Sequence, residues 1–267
     1  MPTRRRWPLG YEPPKCGSPD MIALAESAIG ILQNTRDEAI ARSAQSGKGS
    51  GLLKLIVMQS VLFIEAAKLC AKGHADGLNR AAFALQRCLF EYHSRAVAYQ
   101  RGIVDPEATW SAMVHRVYED ARQAGAGKAE PGVIGDYDGW TDRTKSPRPS
   151  EISFETLLKS IFSDDDESKK FIFQRYRRPG LFAHGTLGVV DDVFEAGEHY
   201  DRLLADSPTI DPDAQLIAIA CLACDFAFLL DDEFSLGLSE TVATFKDDIL
   251  KARSVHSARR PTMKLAE

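Results

Sequence analysis

The segment 176–185 brings together residue types that could cleave a phosphodiester bond. It contains Arg178 and, after five intervening residues, His184. An arginine guanidinium binds a phosphate and stabilises the charge that develops on it during cleavage. A histidine imidazole, whose pKa is ordinarily about 6.5, accepts and donates protons at neutral pH. We therefore identify Arg178 and His184 as the candidate catalytic residues, and the neighbouring Arg177 and Tyr176 as candidate substrate-binding residues.

A second segment, 87–95, places charged residues on a helix that is otherwise largely apolar. Arg87 and Glu91 are four residues apart, so they share one helix face and can form an ion pair. A charge on a buried helix has to be paired with an opposite charge or take part in a functional site. We expect the Arg87–Glu91 pair to hold the candidate catalytic site in place. An ordinary solvated face would explain the same pattern. The spacing R-x5-H also occurs between Arg87 and His93, so it arises by chance as well. In 176–185 the same spacing is typical of two arginines at the end of a helix, followed by a histidine in a turn.

The two segments together resemble a known arrangement. A helix with the pattern R-x-x-F-E, here residues 87–91, precedes the 176–185 segment by about ninety residues. This is similar to the bacterial family of uncharacterised all-helical proteins called DUF5677. More distantly, it is similar to the HEPN superfamily, whose ribonuclease members carry R-x4–6-H. The resemblance covers roughly residues 50–235. It implies a helical bundle, often dimeric, with the arginine and histidine of the second segment as catalytic residues.

Two acidic clusters offer a competing chemistry. Asp191, Asp192 and Glu195 spell D-D-x-x-E, and a second acidic run follows at 231–233. All-α isoprenoid synthases use aspartate-rich motifs to hold Mg²⁺ against a diphosphate, so a Mg²⁺-dependent prenyl-diphosphate enzyme is a weaker alternative. Charges at helix ends explain both clusters more simply. None of the six histidines has a glutamate three residues before it, as a di-metal helical bundle would require. We predict no metal site and no cofactor.

The five cysteines are predicted to be structural thiols. Cys221 and Cys224 have the spacing of a redox or zinc motif, but no second pair occurs and their neighbours are alanine, leucine and isoleucine. An odd number of cysteines, most of them in apolar helical surroundings, favours buried thiols in a reducing cytoplasm.

The candidate residues must be positioned by helices, because the apolar spacing is that of helices and no sustained two-residue alternation occurs. We predict an all-α fold, a helical bundle with a long irregular loop near 125–150, where glycine and proline are frequent. Pro179 and Gly180 are expected to interrupt the helix that carries the arginines. The predicted helices cover residues 20–42, 52–72, 78–100, 106–124, 153–163, 166–178, 212–231 and 239–252. Ser153 is expected to cap the helix that begins there.

The sequence also predicts how the chain is organised. Residues 1–19 contain five prolines and three consecutive arginines, and we expect an extended N-terminal arm there. Residues 20–252 are predicted to form a single α-helical domain. Residues 253–267 are predicted to be a basic C-terminal tail, and we expect the chain to fray from Lys251 onward.

The composition excludes several classes of protein. Of 267 residues 44% are hydrophobic, which is enough to build a core. A net charge of -5, from 33 basic and 38 acidic side chains, argues against a dedicated duplex-DNA binder, whereas local basic groups could contact an RNA backbone. The most apolar stretches, near 52–71 and 214–230, contain charged residues and are predicted not to span a membrane. Prolines follow the basic N-terminus where a signal peptide needs an apolar run, so we expect a cytoplasmic protein.

Two hypotheses of different kinds follow. The leading one is a HEPN-like protein that acts as a metal-independent endoribonuclease of toxin or phage-defence type, with RNA as partner and a homodimer as candidate assembly. Arg178 would hold the scissile phosphate, His184 would assist proton transfer, and Arg87 with Glu91 would order the site. The alternative is a non-catalytic binding or scaffold module in which the Arg87–Glu91 pair is structural.

Overall fold

The computed structural model describes residues 15–46, 51–113, 152–183 and 210–259. Within these ranges the chain is helical and has no strand, which confirms the predicted all-α fold. The predicted arm up to residue 14, the loop near 125–150 and the chain after residue 259 lie outside the described residues. The elements are α1 (Pro19–Ser46), α2 (Gly51–Ala75), α3 (Asn79–Gln100), α4 (106–113), α5 (Phe154–Ile161), α6 (Asp166–Ile172), a π-helical turn (Phe173–Arg177), α7 (Arg178–Ala183), α8 (Pro212–Phe234) and α9 (Ser239–Arg259).

The core lies where α1, α2 and α3 pack against α8. Phe63 of α2 and Phe226 of α8 are fully buried and meet edge to face, with their ring centroids 5.5 Å apart. Among the described helices, α8 is the one whose length and apolar composition would allow it to cross a membrane, and 67% of that apolar window is buried inside the structure. Burial of each such large apolar side chain contributes about 1.5–3 kcal/mol, so this core fixes α3 as a support for the candidate site.

A buried polar network fixes the turn between α2 and α3. His74 is fully buried, and its Nδ1 donates a hydrogen bond to Asn79 Oδ1 at 2.8 Å. Gln86 Nε2 donates to the other ring nitrogen of His74 at 3.1 Å. Asn79 Nδ2 in turn donates to the carbonyl oxygen of Lys15 at 2.8 Å, and the amide of Gly17 donates to the carbonyl oxygen of His74 at 2.9 Å. Because every member is paired, the network holds the chain before α1 against the bundle.

The last helix, α9, is longer than expected. The prediction that it ends near residue 252 and frays from Lys251 is wrong, because α9 continues to Arg259. Ile249 is fully buried on one face. Near the far end His256 Nε2 lies 3.0 Å from Oδ2 of Asp211, a buried carboxylate at the start of α8. These contacts hold the basic end of the helix, which sequence periodicity alone does not reveal.

Proline does not interrupt the helical segment that carries the arginines. The prediction of a break at Pro179 is wrong, because α6 passes through the π-helical turn directly into α7. The amide of Arg178 donates to the carbonyl oxygen of Phe173, five residues earlier. A proline in a regular α-helix lacks the N–H and its ring clashes with the carbonyl four residues before it. The wider π-helical turn moves that carbonyl aside, so the chain can continue as a helix.

The cysteines behave as structural thiols in the described part of the chain, and all five are free. Burial raises the pKa of Cys70 to about 12 and the pKa of Cys224 to about 11, which keeps both thiols protonated and unreactive. Cys221 is half-buried, and its pKa is also raised by burial. Cys16 departs from the expectation because it is exposed.

Candidate functional site

The structure brings together Arg87, Glu91, Tyr176 and Gly180, which we call the Arg87 cluster. Arg87 Nε donates to Glu91 Oε1 at 2.8 Å, which confirms the predicted ion pair. Arg87 Nη2 donates to the hydroxyl oxygen of Tyr176 at 2.7 Å, across 89 residues of sequence. The guanidinium carbon also lies 4.4 Å from the centroid of the Tyr176 ring. Arg87 thus joins α3 to the π-helical turn by a hydrogen bond and a cation–π contact at once.

Gly180 lets α7 approach Arg87 closely. A Cβ atom at this position would lie 3.1 Å from Arg87 Nη1 and 3.6 Å from Arg87 Cδ. Burial lowers the pKa of Arg87, but its hydrogen bond to Glu91 and its contacts with Tyr176 raise it, and the net direction is upward. The guanidinium therefore stays charged while it is about three-quarters covered.

An aromatic cluster docks α5, α6 and the π-helical turn onto α3. Its centre is Phe90 of α3, which is almost fully buried. Tyr176 lies 4.8 Å from Phe154, centroid to centroid. Ser153 accepts a hydrogen bond from the amide of Thr156 at 3.2 Å, which confirms the predicted cap of α5. The rings around Phe90 are those of Phe154, Phe162, Phe171 and Tyr176, at centroid distances of 5.7–6.5 Å. These contacts fix the turn that carries the candidate arginines.

The two candidate arginines diverge from this turn. The Arg178 guanidinium lies over the ring of Phe83 on α3, 5.3 Å from its centroid. Arg177 points towards α5, where its Nη2 lies 3.6 Å from Glu155 Oε1, and its side chain is 62% exposed. An ion pair this exposed contributes little to stability, so Arg177 can exchange Glu155 for another anion.

The candidate catalytic histidine comes directly after α7 in the sequence. His184 is the residue after Ala183, the last of α7, and it lies outside the described residues. The same holds for Asp191, Asp192 and Glu195. The structure therefore shows that Arg87, Glu91 and Tyr176 meet and that Arg178 rests on the same helix, α3.

The second acidic cluster, at 231–233, stabilises the turn between α8 and α9. Asp231 is buried, and its Oδ1 accepts a hydrogen bond from the amide of Leu238 at 2.8 Å, while its Oδ2 accepts one from the Ser239 hydroxyl. Asp232 is exposed and accepts a hydrogen bond from Gln100 Nε2 at 3.0 Å. Within the described ranges no group of three or more histidine, cysteine or carboxylate side chains is placed to hold a metal ion.

The sequence did not predict a groove that lies on the outer face of α8. The cavity measures about 410 Å³ and lies between α3 and α8 near the start of α9. One signal could have pointed to it: Asp225 and Asp232 are seven residues apart on a strongly apolar helix, which places both on one face. Its lining includes His93, Val97, Gln100, Asp225, Phe228 and Asp232.

Comparison with known protein families, curated proteins and solved structures finds no match for this chain. The resemblance to DUF5677 and HEPN proteins stays a prediction, and the function must be inferred from the residues themselves.

Removing the Tyr176 hydroxyl tests whether the Arg87 cluster holds the π-helical turn. Tyr176→Phe keeps the ring over Arg87 but deletes the 2.7 Å hydrogen bond, so we expect the free energy of unfolding to fall by about 1 kcal/mol. Urea denaturation measures this. Tyr92→Phe is the matched control, because the Tyr92 hydroxyl makes no hydrogen bond within the described residues. Equal changes in the two variants would contradict a role for Tyr176 in anchoring the turn.

Proposed function

We propose that this protein is a metal-independent endoribonuclease that binds the scissile phosphate of RNA at Arg178 and Arg177 and uses His184 for proton transfer. One observation carries the proposal: Tyr176, Arg177 and Arg178 follow one another along the π-helical turn and the start of α7, which Arg87 fixes to α3. A π-helical turn of this kind is rare and often occurs at functional sites. It exposes one arginine and positions the next over an aromatic ring.

The chemistry requires no metal ion. The ribose 2′-oxygen attacks the adjacent phosphorus, a new phosphorus–oxygen bond forms to the 2′-oxygen, and the bond to the 5′-oxygen of the next nucleotide breaks. The products are a 2′,3′-cyclic phosphate and a free 5′-hydroxyl. The imidazole of His184 accepts the proton that the 2′-hydroxyl loses, and the imidazolium so formed donates a proton to the leaving 5′-oxygen. Arg178 stabilises the charge on the phosphate oxygens.

The role of Arg87 and Glu91 in this proposal is to hold the site in place. The Arg87 guanidinium is committed to Glu91 and Tyr176, and Gly180 packs against it. A catalytic group has to be kept within a fraction of an ångström of its working position, and such packing supplies the rigidity. The proposal includes the cytoplasmic location that the sequence predicts and the toxin or phage-defence type of the leading hypothesis. A homodimer would place two such segments in one assembly.

The experiment is RNA cleavage by the full chain in EDTA, with gel analysis of the product ends. We expect a 2′,3′-cyclic phosphate end from the wild type. Arg178→Ala is expected to slow cleavage by about 100-fold, because the phosphate loses a charge-stabilising partner. Lys68→Ala is the control, since it removes one positive charge from the exposed α1–α2 surface, where Lys68 Nζ bonds to Gln33 Oε1 at 3.0 Å. Intact RNA with the wild type, or equal rates for both variants, would overturn the proposal.

A non-catalytic binding or scaffold module is the second candidate. It is favoured by the Arg87 cluster itself, because the Arg87 guanidinium is taken up by intramolecular partners. This candidate predicts RNA binding without cleavage, or no RNA binding, and a loss of thermal stability in Arg87→Ala. The cleavage assay therefore separates the two candidates.

A further inference from the structure

One aromatic ring lies on the outer side of the π-helical turn instead of in the core. Phe173 begins that turn and is 49% exposed, the largest exposed fraction of any phenylalanine, tyrosine or tryptophan that the structure describes. No ring contact within the described residues involves Phe173. Single exposed apolar residues are common on protein surfaces, so the neighbours of Phe173 decide whether its ring has a role.

The neighbours of Phe173 form a continuous exposed face. Lys169 precedes it by four residues and Arg177 follows it by four, and residues at this spacing share one side of a helix. The opposite side is the one that docks, because Phe171 and Tyr176 pack against Phe90 of α3. We call the exposed face the Phe173 surface, and its members are Lys169, Lys170, Phe173, Gln174 and Arg177.

The Phe173 surface combines one ring with three positive charges. From residue 168 to residue 183 the chain has no carboxylate. Two carboxylates outside that range pair with the surface: Asp164 lies 3.1 Å from Lys169 Nζ, and Glu155 lies 3.6 Å from Arg177 Nη2. Both carboxylates are largely exposed, at 97% and 68% of their side chains, so water screens these ion pairs and another anion can replace them.

This combination matches the chemistry of an unpaired nucleotide. Lysine and arginine bind the phosphates of a nucleic acid strand, and an exposed aromatic ring stacks on a base. Lys169 and Arg177 are eight residues apart, which is about 12 Å along a helix. Nucleotides of one stacked strand are about 3.4 Å apart, so a strand of about three nucleotides covers the surface.

Two other anionic partners fit the surface less well. In double-stranded RNA the base faces are covered by their neighbours, so the Phe173 ring could not reach one. A membrane-binding helix needs an apolar face that continues over several turns. The exposed face here has a single apolar residue, Phe173, among four polar ones.

We propose that the Phe173 surface is a binding subsite for an unpaired stretch of RNA, in which the Phe173 ring stacks on one base while Arg177 and Lys169 bind phosphates on either side of that base. The inference rests on the proposed function, because Arg177 directly precedes Arg178 in the chain. It adds that the substrate is single-stranded beside the cleaved bond. It also assigns a role to a residue outside the 87–91 and 176–185 segments.

Fluorescence anisotropy of the full chain tests the subsite with a labelled 2′-O-methylated octanucleotide, which cannot be cleaved because its 2′-oxygens are blocked. We expect the single strand to bind at least about tenfold more tightly than the same strand annealed to its complement. Vesicles of phosphatidylcholine and phosphatidylserine form the third arm, and we expect no sedimentation of the protein with them.

Three substitutions of Phe173 separate stacking from general apolar contact. Phe173→Ala and Phe173→Leu are each expected to weaken binding of the single strand by about tenfold, because neither residue has a ring to stack on a base. Phe173→Trp should bind at least as tightly as the wild type. The matched control is Leu69→Ala on α2, which removes an apolar side chain that is 63% exposed and should leave affinity within about twofold. Thermal melting of each variant checks the fold.

The salt dependence of binding tests the phosphate contacts. Arg177→Ala should reduce the slope of log affinity against log salt concentration by about 0.7, the value for one phosphate contact on a single strand. Lys68→Ala should leave that slope unchanged. The proposal is overturned if the single strand does not bind, if the duplex binds as tightly, if vesicles bind instead of RNA, or if Phe173→Ala or Phe173→Leu binds like the wild type.

The outcomes for this subsite differ from those for the ribonuclease. RNA that binds with the expected dependence on Phe173 but stays intact would contradict cleavage and leave the subsite standing. RNA that the wild type cleaves, with affinity equal in Phe173→Ala, would contradict the subsite and leave the ribonuclease standing.

Discussion

His184→Ala is expected to slow metal-independent RNA cleavage by about 1,000-fold, because a positioned general acid–base group contributes on the order of 10²–10⁴ to such a step. RNA affinity should change by less than about twofold, because the phosphate contacts come from arginines. Initial rates on a labelled single-stranded RNA in EDTA, with affinity from a binding isotherm, measure both quantities.

Two controls make the result specific to the imidazole. Free imidazole added to His184→Ala should restore part of the rate, since it supplies the missing acid–base group without the missing side chain. A melting temperature unchanged from the wild type would show that the loss is not one of folding. A His184→Ala variant that cleaves at the wild-type rate would remove His184 from the mechanism, whereas a wild type that binds RNA and leaves it intact would favour the binding-module candidate.

Local spacing was enough to predict the parts of the site that belong to one helix. The Arg87–Glu91 pair follows from a separation of four residues, and the hydrogen bond at 2.8 Å confirms it. The cap at Ser153 follows in the same way from a polar residue before an apolar run. These features depend only on the periodicity of the α-helix, so the sequence contains all the information they require.

Contacts between distant segments could not be predicted in this way. Tyr176 meets Arg87 across 89 residues, and no rule of spacing connects them. The π-helical turn likewise depends on a balance: Pro179 disfavours a regular helix, while the docking of Tyr176 and Phe171 against Phe90 favours continuing one. The sequence contains the proline, but the packing that outweighs it exists only in the folded chain.

The ion pair between α8 and α9 shows the same limit at the level of charge. Asp225 and Lys246 each look like a solvated helix charge in the sequence, yet Lys246 Nζ donates to Asp225 Oδ1 at 2.8 Å. This contact depends on the antiparallel register of α8 and α9, which contacts near both ends of the pair fix: Cys224 with Val242 and Asp211 with His256. Register is a tertiary property, so no rule of local spacing predicts the ion pair.

The register of α8 and α9 depends on the turn between them, and Asp231 holds that turn. Asp231 is 3% exposed and accepts hydrogen bonds from the Leu238 amide at 2.8 Å and from the Ser239 hydroxyl. Its carbonyl oxygen accepts another from the amide of Leu236 at 3.1 Å. Ser235, which lies between Asp231 and Leu236, has a left-handed backbone conformation with φ of 50°. A serine adopts this conformation when the surrounding contacts impose it.

Arg42 of α1 secures the same turn from outside. Its Nη1 donates to the carbonyl oxygen of Ser235 at 2.6 Å, and its Nη2 donates to that of Leu236 at 2.7 Å. Two side chains thus hold the turn: Arg42 of α1, which bonds to the backbone of the turn, and the buried carboxylate of Asp231 in α8. Loss of that carboxylate would leave the Leu238 amide and the Ser239 hydroxyl without their acceptor.

Asp231→Ala is therefore expected to lower the free energy of unfolding by about 3 kcal/mol, because hydrogen bonds to a charged group contribute about 1.5–3 kcal/mol each and two such bonds are lost. The melting temperature should fall by about 6–10 °C in a chain of this size. Asp232→Ala is the matched control: it removes the neighbouring carboxylate, which is exposed and bonded to a single amide, and should change stability by less than about 0.5 kcal/mol. Urea denaturation and calorimetric melting of both variants give the comparison. If the two substitutions cost the same, Asp231 does not hold the turn, and the register of α8 and α9 must come from the other contacts between these helices.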